Sequence, residues 1–409
     1  MTWRKRLGIK IEMISARASS AGQTAPKSAT DHPCAIPLGR MTLRGREYAY
    51  IREAIDSGHI AGNGQFTKRA EDFIATCLGA PRVLLTHSCT AALEIAALLT
   101  LRPGDEVILP SFTFASAAGA FARCGAQLVF VDIDADTLNI DPRAVEAAIT
   151  PQTRAIVAMH YAGAGCDVAS LGKVAHASNA MLIEDAAHGF GASYRNRPLG
   201  SFGALAAFSF HESKNVTSGE GGALVVNDPT LVERAQVIRD RGTNREQFLR
   251  REVDEYRWID VGSAYAPSDI VAAFLLAQIE DVADITADRL RLWQRYHEAL
   301  EPLERAGSAR RPIVRPENAH NGHIYYLLLA DASCRRTLLA DLNRRGIGAA
   351  FHYVPLHSAP AGQKYGRAGG TLEVTEDVAS RLVRLPLHVS LSDRDQDEVI
   401  NAVIHALDR

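Results

Sequence analysis

A single lysine, Lys214, stands in a polar loop between two apolar runs of the sequence. One run ends at Phe210, and a second begins at Ala223, directly after the glycine-rich residues 219–222. This order predicts a strand, a loop and a second strand. Apolar surroundings make a lysine amine neutral, and a neutral amine bonds covalently to carbonyl carbons. Taken alone, the same pattern is also typical of a solvated lysine in a plain hairpin.

Polar or aromatic side chains also follow four other apolar runs. These groups are residues 86–90 (THSCT), residues 112–114 (FTF), His160 with Tyr161, and residues 185–188 (DAAH). Ligands of open α/β sheets bind beyond the carboxyl ends of the strands. The repeated placement of such groups at strand ends therefore predicts one shared pocket that also contains Lys214.

The spacing of apolar residues predicts strands that alternate with helices before Lys214. The predicted strands are residues 83–85, 106–110, 128–132, 155–160 and 181–185. The predicted helices are residues 91–100, 142–149 and 171–178. Such alternation is typical of an α/β fold in which a mostly parallel sheet is covered by helices on both faces.

The pattern changes in the last third of the chain. We predict one long amphipathic helix over residues 269–300, followed by a smaller α/β region. The strands predicted there are residues 324–329, 349–353 and 384–387, and the helices are residues 335–345, 374–382 and 393–407. We therefore predict a large domain over residues 37–285 and a small C-terminal domain over residues 286–409 that includes the connecting helix.

Residues 1–36 differ in composition from the rest of the chain. Residues 4–6 are basic, and residues 16–32 are rich in Ala, Ser, Thr and Gly. The short apolar content between them is broken by charges, which is untypical of a signal peptide. We expect a disordered N-terminal extension, or a start site placed too early, with Met13 and Met41 as later candidates.

The composition excludes several classes of protein. The chain has 409 residues and a formal net charge of −2, so nothing favours binding to nucleic acid or to an anionic membrane. Its six cysteines are scattered without a C-x-x-C pair, which indicates neither a metal site nor disulfides and fits a reducing cytoplasm. No dinucleotide-binding G-x-G-x-x-G follows a strand, and the P-loop and G-x-S-x-G motifs are absent from the sequence.

The remaining features suit one cofactor. Residues 86–90 place hydroxyl and backbone N–H groups at the start of a helix, where phosphate binds, although capping of the helix explains the same residues without a ligand. Asp185 ends a strand as an acid, and residues 112–114 supply aromatic rings. Pyridoxal 5′-phosphate (PLP) has a phosphate, a ring nitrogen, a ring face and an aldehyde that need these groups together with Lys214.

The same segments resemble the DegT/DnrJ/EryC1/StrS family of sugar-nucleotide aminotransferases, and the resemblance covers residues 37–409. The matching segments are residues 85–91 (LTHSCTA), 103–107 (PGDEV), 110–114 (PSFTF), 184–189 (EDAAHG), 209–215 (SFHESKN) and 219–222 (GEGG). The resemblance implies the fold of the fold-type I PLP enzymes, which is that of aspartate aminotransferase. It also implies a homodimer with the active site at the subunit interface.

The resemblance further implies a role for each matching residue. Lys214 would bond to the cofactor aldehyde and carry the catalytic protons, and Asp185 would pair with the ring nitrogen. His188 would lie near the phenolic oxygen of the cofactor, and Phe114 would stack on its ring. The residues expected to hold the phosphate are Cys89, Thr90 and Ser209.

The chain departs from the family pattern at one segment. Many members have an asparagine in a Gly-Tyr-Asn-Tyr-type segment that reaches the cofactor phosphate across the dimer interface. Residues 262–266 (GSAYA) contain no asparagine here. Ser263 or Tyr265 is the expected replacement.

Within the family, residues 241–245 (RGTNR) and 351–357 (FHYVPLH) resemble the transaminases that form dTDP-4-amino-4,6-dideoxygalactose. This resemblance implies L-glutamate as the amino donor and C4 of dTDP-4-dehydro-6-deoxy-D-glucose as the acceptor. Enzymes that form the gluco epimer or aminate another nucleotide-linked keto sugar are similar over the same segments, and a non-catalytic PLP-binding regulator is a remote alternative. The candidates for binding the substrate are Arg241, Arg245, His352, Tyr353 and His357.

Overall fold

The computed structural model describes residues 35–408, and these residues belong to one compact unit. Of the predicted N-terminal extension, residues 1–34 lie outside the described residues. The predicted division of the chain between residues 285 and 286 stays a prediction. None of the described helices is both long and apolar enough to cross a membrane.

Helices account for much of the described chain. The α-helices are α1 (Glu47–Asp56), α2 (Gln65–Leu78), α3 (Cys89–Thr100), α4 (Ala115–Arg123), α5 (Pro142–Ala148), α6 (Val168–Ala177), α7 (Val232–Arg239), α8 (Arg245–Leu249), α9 (Asp269–Ile279), α10 (Val282–Ala299), α11 (Glu301–Arg305), α12 (Ala332–Arg344), α13 (Pro360–Tyr365), α14 (Glu373–Arg381) and α15 (Asp393–Leu407). Short 3₁₀ turns are formed by Tyr161–Gly163, Pro229–Leu231 and Leu356–Ser358.

The strands form one large and two small sheets. They are β1 (Arg82–Thr86), β2 (Glu106–Pro110), β3 (Gln127–Val131), β4 (Thr153–Met159), β5 (Met181–Asp185), β6 (Ser193–Tyr194), β7 (Arg197–Pro198), β8 (Leu205–Ser209), β9 (Gly222–Val226), β10 (Ala309–Arg310), β11 (Asn318–Ala319), β12 (Tyr325–Leu329), β13 (Gly366–Ala368) and β14 (Leu382–Leu385). The large sheet has the order β1-β9-β8-β5-β4-β2-β3-β13, and only β9 runs antiparallel to its neighbours. The small sheets are β10-β12-β14 and β11-β6-β7.

Helices cover both faces of the large sheet, because alternate residues of each strand point to opposite faces. On β3, Leu128 and Phe130 pack with α3 and α4, whereas Val129 and Val131 pack with α5 and α6. Helices α2 and α9 pack against β1, β8 and β9. The predicted α/β architecture with a mostly parallel sheet is thus confirmed.

The predicted long helix is wrong at one point, because α9 ends at Ile279 and α10 begins only at Val282. The carboxylates of Glu280 and Asp281, between the two helices, form ion pairs with Arg46 at 2.7 and 2.5 Å. These ion pairs hold the turn against the segment before α1. Helix α9 is accordingly a buried core helix, and only α10 has the amphipathic character that the sequence indicates.

The predicted strand over residues 349–353 is also wrong. Its only pairing in the described chain is an isolated bridge between Ala350 and Arg384. His352 and Tyr353, which follow Ala350, line a cavity instead of pairing with β14. The sequence pattern also does not predict β13, a three-residue strand in the C-terminal part of the chain. This strand pairs with β3 and extends the large sheet.

A buried carboxylate fixes the end of β5. Glu184 is fully buried and accepts hydrogen bonds from the backbone N–H groups of Gly200, Phe202 and Gly203 at 2.6–2.7 Å. Its fourth partner is the Nε2 atom of His160, at 2.9 Å. Burial acts to raise the pKa of Glu184, but these hydrogen bonds outweigh it and lower the pKa below its ordinary value. The ionised side chain therefore joins β4, β5 and the loop before β8.

Replacement of this carboxylate should be costly. We expect Glu184→Gln to lower the free energy of unfolding by about 3 kcal/mol, because the amide NH₂ opposes backbone donors that need an acceptor. Glu376, an exposed glutamate whose carboxylate contacts His357 at 3.2 Å, is the matched control, and Glu376→Gln should cost less than about 1 kcal/mol. Urea-induced unfolding measures both values, and equal losses would contradict the proposed importance of the buried carboxylate.

Candidate active site

Lys214 lies in the loop that joins β8 to β9. The backbone N–H of Phe210 donates to the carbonyl of Gly221 at 2.8 Å, and the N–H of Ser218 donates to the carbonyl of Phe210 at 2.9 Å. The N–H of Lys214 donates to the carbonyl of His211 at 2.9 Å. The strand–loop–strand prediction is therefore confirmed, and the loop has a fixed shape at the lysine.

Gly222 brings this hairpin against the start of α3. A Cβ atom on Gly222 would lie 2.4 Å from the nitrogen of Cys89 and 2.4 Å from the carbonyl carbon of Ser88, so only glycine fits. Ser88 caps the helix by accepting a hydrogen bond from the N–H of Ala91 at 3.1 Å. The first N–H groups of a helix have no acceptor within it, and α3 has Cys89 and Thr90 at this position. A capped helix start and N–H groups of the kind that an anion needs thus occur together.

These elements surround one cavity of about 490 Å³, a size typical of cofactor sites. The predicted cofactor-binding residues all line it, namely Cys89, Thr90, Phe114, Asp185, His188, Ser209 and Lys214. The substrate-binding candidates His352 and Tyr353 line it as well. The structure therefore brings together residues from five separate strand ends and from the segment before β14.

The charges of Lys214 and Asp185 are set by burial. Burial lowers the pKa of Lys214 to about 8, although the nearby Cys89 and Asp185 favour its charged form. Burial raises the pKa of Asp185, while the N–H of Ala187, which donates to its carboxylate at 3.1 Å, and the charge of Lys214 lower it. At physiological pH roughly a fifth of the amine is therefore neutral, far more than for a lysine in water. The neutral form is the one that covalent chemistry with a carbonyl requires.

A hydrogen-bonded network joins the lysine loop to the segment before β12. Asn215, next to Lys214, accepts from Nδ1 of His323 at 2.8 Å and donates to the carbonyl of Asn321 at 3.0 Å. Asn321 in turn donates to the carbonyl of His188 at 2.8 Å. The rings of His188 and His323 lie 4.2 Å apart, and burial lowers the pKa of both imidazoles. The pair is therefore neutral.

A second wall of the cavity comes from His352, Tyr353 and Arg384. The rings of His352 and Tyr353 are stacked at 4.0 Å. His352 accepts a hydrogen bond from Nη1 of Arg384 through Nε2. Its Nδ1 atom lies 3.2 Å from the hydroxyl of Tyr161. These contacts attach β14 to the 3₁₀ turn that follows β4.

Sequence reasoning missed His323 and Arg384 as residues of this site. Both could have been found as single polar residues at or within apolar strands, since His323 directly precedes β12 and Arg384 interrupts β14. Nothing in the local pattern assigns them to the same cavity as Lys214. That assignment depends on the pairing of β12 with β14.

Three substrate-binding candidates lie outside the cavity of their own chain. The side chain of Arg241 is 66% exposed and pairs with Asp240 at 2.6 Å, and Arg245 lies 3.7 Å from the same carboxylate. His357 lies 2.8 Å from the hydroxyl of Ser111 and 3.2 Å from Glu376. Their roles in substrate binding stay predictions.

The residues of the cavity fit PLP. Two buried polar atoms of its wall, Nδ1 of His188 and Oγ1 of Thr113, have no hydrogen-bond partner among the described residues. Each such atom costs about 1–3 kcal/mol, so a polar ligand is expected. PLP brings a phosphate for the start of α3, a ring nitrogen for Asp185 and an aldehyde for Lys214.

Comparison with known proteins agrees with this geometry. Residues 42–404 match the model of the DegT/DnrJ/EryC1/StrS aminotransferase family. The spore coat polysaccharide biosynthesis protein SpsC of Bacillus subtilis (strain 168) is 33% identical over 380 residues, which cover 91% of this chain and 96% of that protein.

Solved structures are similar over the same range. The aminotransferase TlmJ of Streptoalloteichus hindustanus has a TM-score of 0.84 at 32% identity, with 91% of this chain and 99% of that chain covered. The PLP form of Spr1654 from Streptococcus pneumoniae has a TM-score of 0.83 at 26% identity, with 91% and 98% covered. These similarities confirm the predicted fold-type I architecture and the dependence on PLP. The chain belongs to the DegT/DnrJ/EryC1/StrS aminotransferase family and is a PLP-dependent sugar aminotransferase.

Proposed function

We propose that the enzyme transfers the amino group of L-glutamate to C4 of dTDP-4-dehydro-6-deoxy-D-glucose. The products are 2-oxoglutarate and dTDP-4-amino-4,6-dideoxy-D-galactose. One observation carries the proposal: Lys214, whose pKa is lowered by burial to about 8, shares its cavity with Asp185 and with His352 and Tyr353, which belong to the segment that resembles the enzymes of this specificity. Formation of the gluco epimer is the second candidate, supported by the same segments.

In the first half of the reaction, Lys214 acts as the base. With PLP bound, its neutral amine would take the proton from the α-carbon of the amino donor and hold it for return within the same half-reaction. When bound, PLP supplies an electron sink for the electron pair of the broken carbon–hydrogen bond. Asp185 holds the proton on the ring nitrogen, which keeps that sink available. The start of α3 would hold the phosphate of the cofactor in the cavity that contains Lys214.

In the second half, the same residues act in reverse on the keto sugar. Lys214 would deliver the proton to C4 of the sugar, so one residue would serve both halves. The face of C4 that points towards Lys214 decides between the galacto and the gluco product. In this proposal His352 and Tyr353, which line the same cavity, orient the sugar ring.

We propose further that two copies of the chain form a homodimer with the active site at their interface. Several large apolar side chains between α8 and α9 are exposed, including Trp258 at 78%, Tyr256 at 55% and Ile259 at 56%. Exposed apolar surface of this kind is typical of an interface. Arg241 and Arg245 belong to the same region, and in such a dimer we expect them to bind the substrate diphosphate in the cavity of the second copy.

We place the enzyme in the cytoplasm, in the biosynthesis of a surface polysaccharide or lipopolysaccharide. The name of the Bacillus relative, which links that protein to spore coat polysaccharide, supports this context. The scattered cysteines support the compartment.

The specificity is tested by incubating the enzyme with L-glutamate and dTDP-4-dehydro-6-deoxy-D-glucose and analysing the products by NMR. We expect an amino sugar whose H4 proton has small couplings to both neighbours, because H4 is equatorial in the galacto product. Large couplings would assign the gluco epimer in its place. Absence of any amino sugar, in an enzyme that still converts L-glutamate to 2-oxoglutarate, would show that the acceptor is wrong.

The lowered pKa of Lys214 predicts how fast the apoenzyme takes up PLP at different pH values. The neutral amine attacks the aldehyde, so the rate should rise with pH to about 8 and level off above it. Asp185→Asn removes a charge that favours the ammonium form of Lys214, so the midpoint should fall further. Stopped-flow absorbance measures the rate. A rate that still rises at about pH 10, the ordinary pKa of lysine, would contradict the effect of burial.

A further inference from the structure

Both ring nitrogens of His357, which lies outside the cavity of its own chain, have partners in the described chain. The Nδ1 atom lies 2.8 Å from the hydroxyl oxygen of Ser111, and the Nε2 atom lies 3.2 Å from the carboxylate of Glu376. An ionised carboxylate only accepts hydrogen bonds, so in the neutral imidazole Nε2 carries the proton and Nδ1 accepts from the hydroxyl of Ser111. Neither nitrogen is therefore left for a substrate.

Ser111, the first residue after β2, is bound from two sides. Its hydroxyl oxygen also accepts a hydrogen bond from the backbone N–H of His357 at 3.1 Å, and its carbonyl accepts one from the N–H of Leu356 at 3.0 Å. On its other side, its own N–H donates to the carbonyl of Val131, the last residue of β3, at 3.1 Å. Ser111 is fully buried, and burial strengthens such hydrogen bonds. Three of them therefore attach the 3₁₀ turn Leu356–Ser358 to the end of β2.

The 3₁₀ turn is itself held in place. Leu356 packs in the core cluster that contains α3 and α4. Asp132, directly after β3, accepts hydrogen bonds from the backbone N–H and the hydroxyl of Thr375 at 2.8 and 2.7 Å, and these bonds fix the first turn of α14, which carries Glu376. The imidazole of His357 therefore lies between two anchored elements, the end of β2 and the start of α14.

The residues after Ser111 form one wall of the cavity. Phe112 is buried, and the centroid of its ring lies 5.4 Å from that of Tyr353. Thr113 and Phe114 line the cavity. Phe114, which is predicted to stack on the cofactor ring, is 63% exposed and makes no side-chain capping bond at the start of α4. Its ring has little packing of its own, so its place depends on the backbone that Ser111 holds.

We propose that His357 is a positioning residue that fixes the cavity wall formed by residues 112–114 by holding Ser111. In this role it contacts no substrate, contrary to the prediction from the sequence. What it fixes is the place of the Phe114 ring and of Thr113, whose buried Oγ1 atom has no hydrogen-bond partner among the described residues. The inference requires that the enzyme binds PLP, and it does not depend on which keto sugar the enzyme accepts.

The test compares two amides at position 357. His357→Asn places an oxygen where Nδ1 lies and keeps the hydrogen bond with Ser111, whereas His357→Gln places its polar atoms near the position of Nε2 and loses that bond. For His357→Gln we expect the dissociation constant of PLP to rise about 10-fold. The visible circular dichroism of the holoenzyme, which reports how the cofactor ring is held, should lose intensity. His357→Asn should keep the dichroism and stay within about 3-fold of the wild-type affinity.

Two further variants identify the contact. Ser111→Ala removes the other partner, so it should reproduce the effects of His357→Gln. The double variant should be no worse than either single variant, because both remove the same interaction. Glu376→Gln keeps an oxygen that accepts from Nε2 of His357, so it is the matched control and should behave as the wild type.

The kinetics of the holoenzyme with L-glutamate separate positioning from binding. A displaced ring is poorly aligned with Lys214, so His357→Gln should lower the maximal rate of the first half-reaction about 10-fold. The half-saturating concentration of L-glutamate should change less than about 3-fold, because no contact with the donor is lost. The absorbance of the cofactor measures both values.

The outcomes distinguish this inference from the proposed function. If His357→Gln raises the half-saturating concentration of L-glutamate or of the nucleotide sugar and leaves the PLP affinity and the dichroism unchanged, His357 binds substrate and the inference is wrong. Equal losses in the Asn and Gln variants, or wild-type behaviour of Ser111→Ala, overturn it as well. The PLP affinity and the dichroism are measured without substrate, so they decide on the inference even if the proposed sugar is wrong.

Discussion

The burial of one amine, that of Lys214, is the constraint on which the rest of the structure depends. A lysine in water is an ammonium ion and cannot bond to a carbonyl. Burial lowers the pKa of Lys214 to about 8, and this requires a cavity closed on several sides. The hairpin of β8 and β9 supplies one side, the start of α3 a second, and the segment from Ala350 to Arg384 a third.

The contacts around Lys214 hold these sides together. Gly222 has no Cβ atom, and its absence allows the hairpin to pack closely against the start of α3. The network of Asn215, Asn321 and His323 ties the lysine loop to the segment before β12. The buried carboxylate of Glu184 fixes the end of β5, where Asp185 follows. Each contact joins parts of the chain that are distant in sequence, so the geometry of the site depends on the complete fold.

The sequence predicts those parts of the site that have a local signal. Cys89, Asp185 and Ser209 stand where apolar runs end, and parallel strands bring such ends to one edge of a sheet. The strands 106–110 and 181–185 are predicted at their observed bounds for the same reason. Arg384 and His323 are single polar residues at or within apolar strands, and this local signal does not assign them to the cavity. That assignment depends on the pairing of β12 with β14.

The errors have the same origin. The break between α9 and α10 depends on ion pairs with Arg46, which is more than 200 residues earlier in the chain. Periodicity cannot detect such a partner. The predicted strand at residues 349–353 has the composition of a strand, but its polar side chains turn into the cavity. Arginine is a residue type that often binds phosphate, but in a single chain Arg241 and Arg245 lie at the surface beside Asp240.

The central claim is that Lys214 is the residue that reacts with the cofactor. Borohydride reduction of the holoenzyme fixes any covalent bond between PLP and a lysine, and mass spectrometry of the digested protein then locates the pyridoxyl group. The account predicts that the group is found on the peptide that contains Lys214, and that its attachment needs native folded protein. A pyridoxyl group on another lysine, or on none, would contradict it.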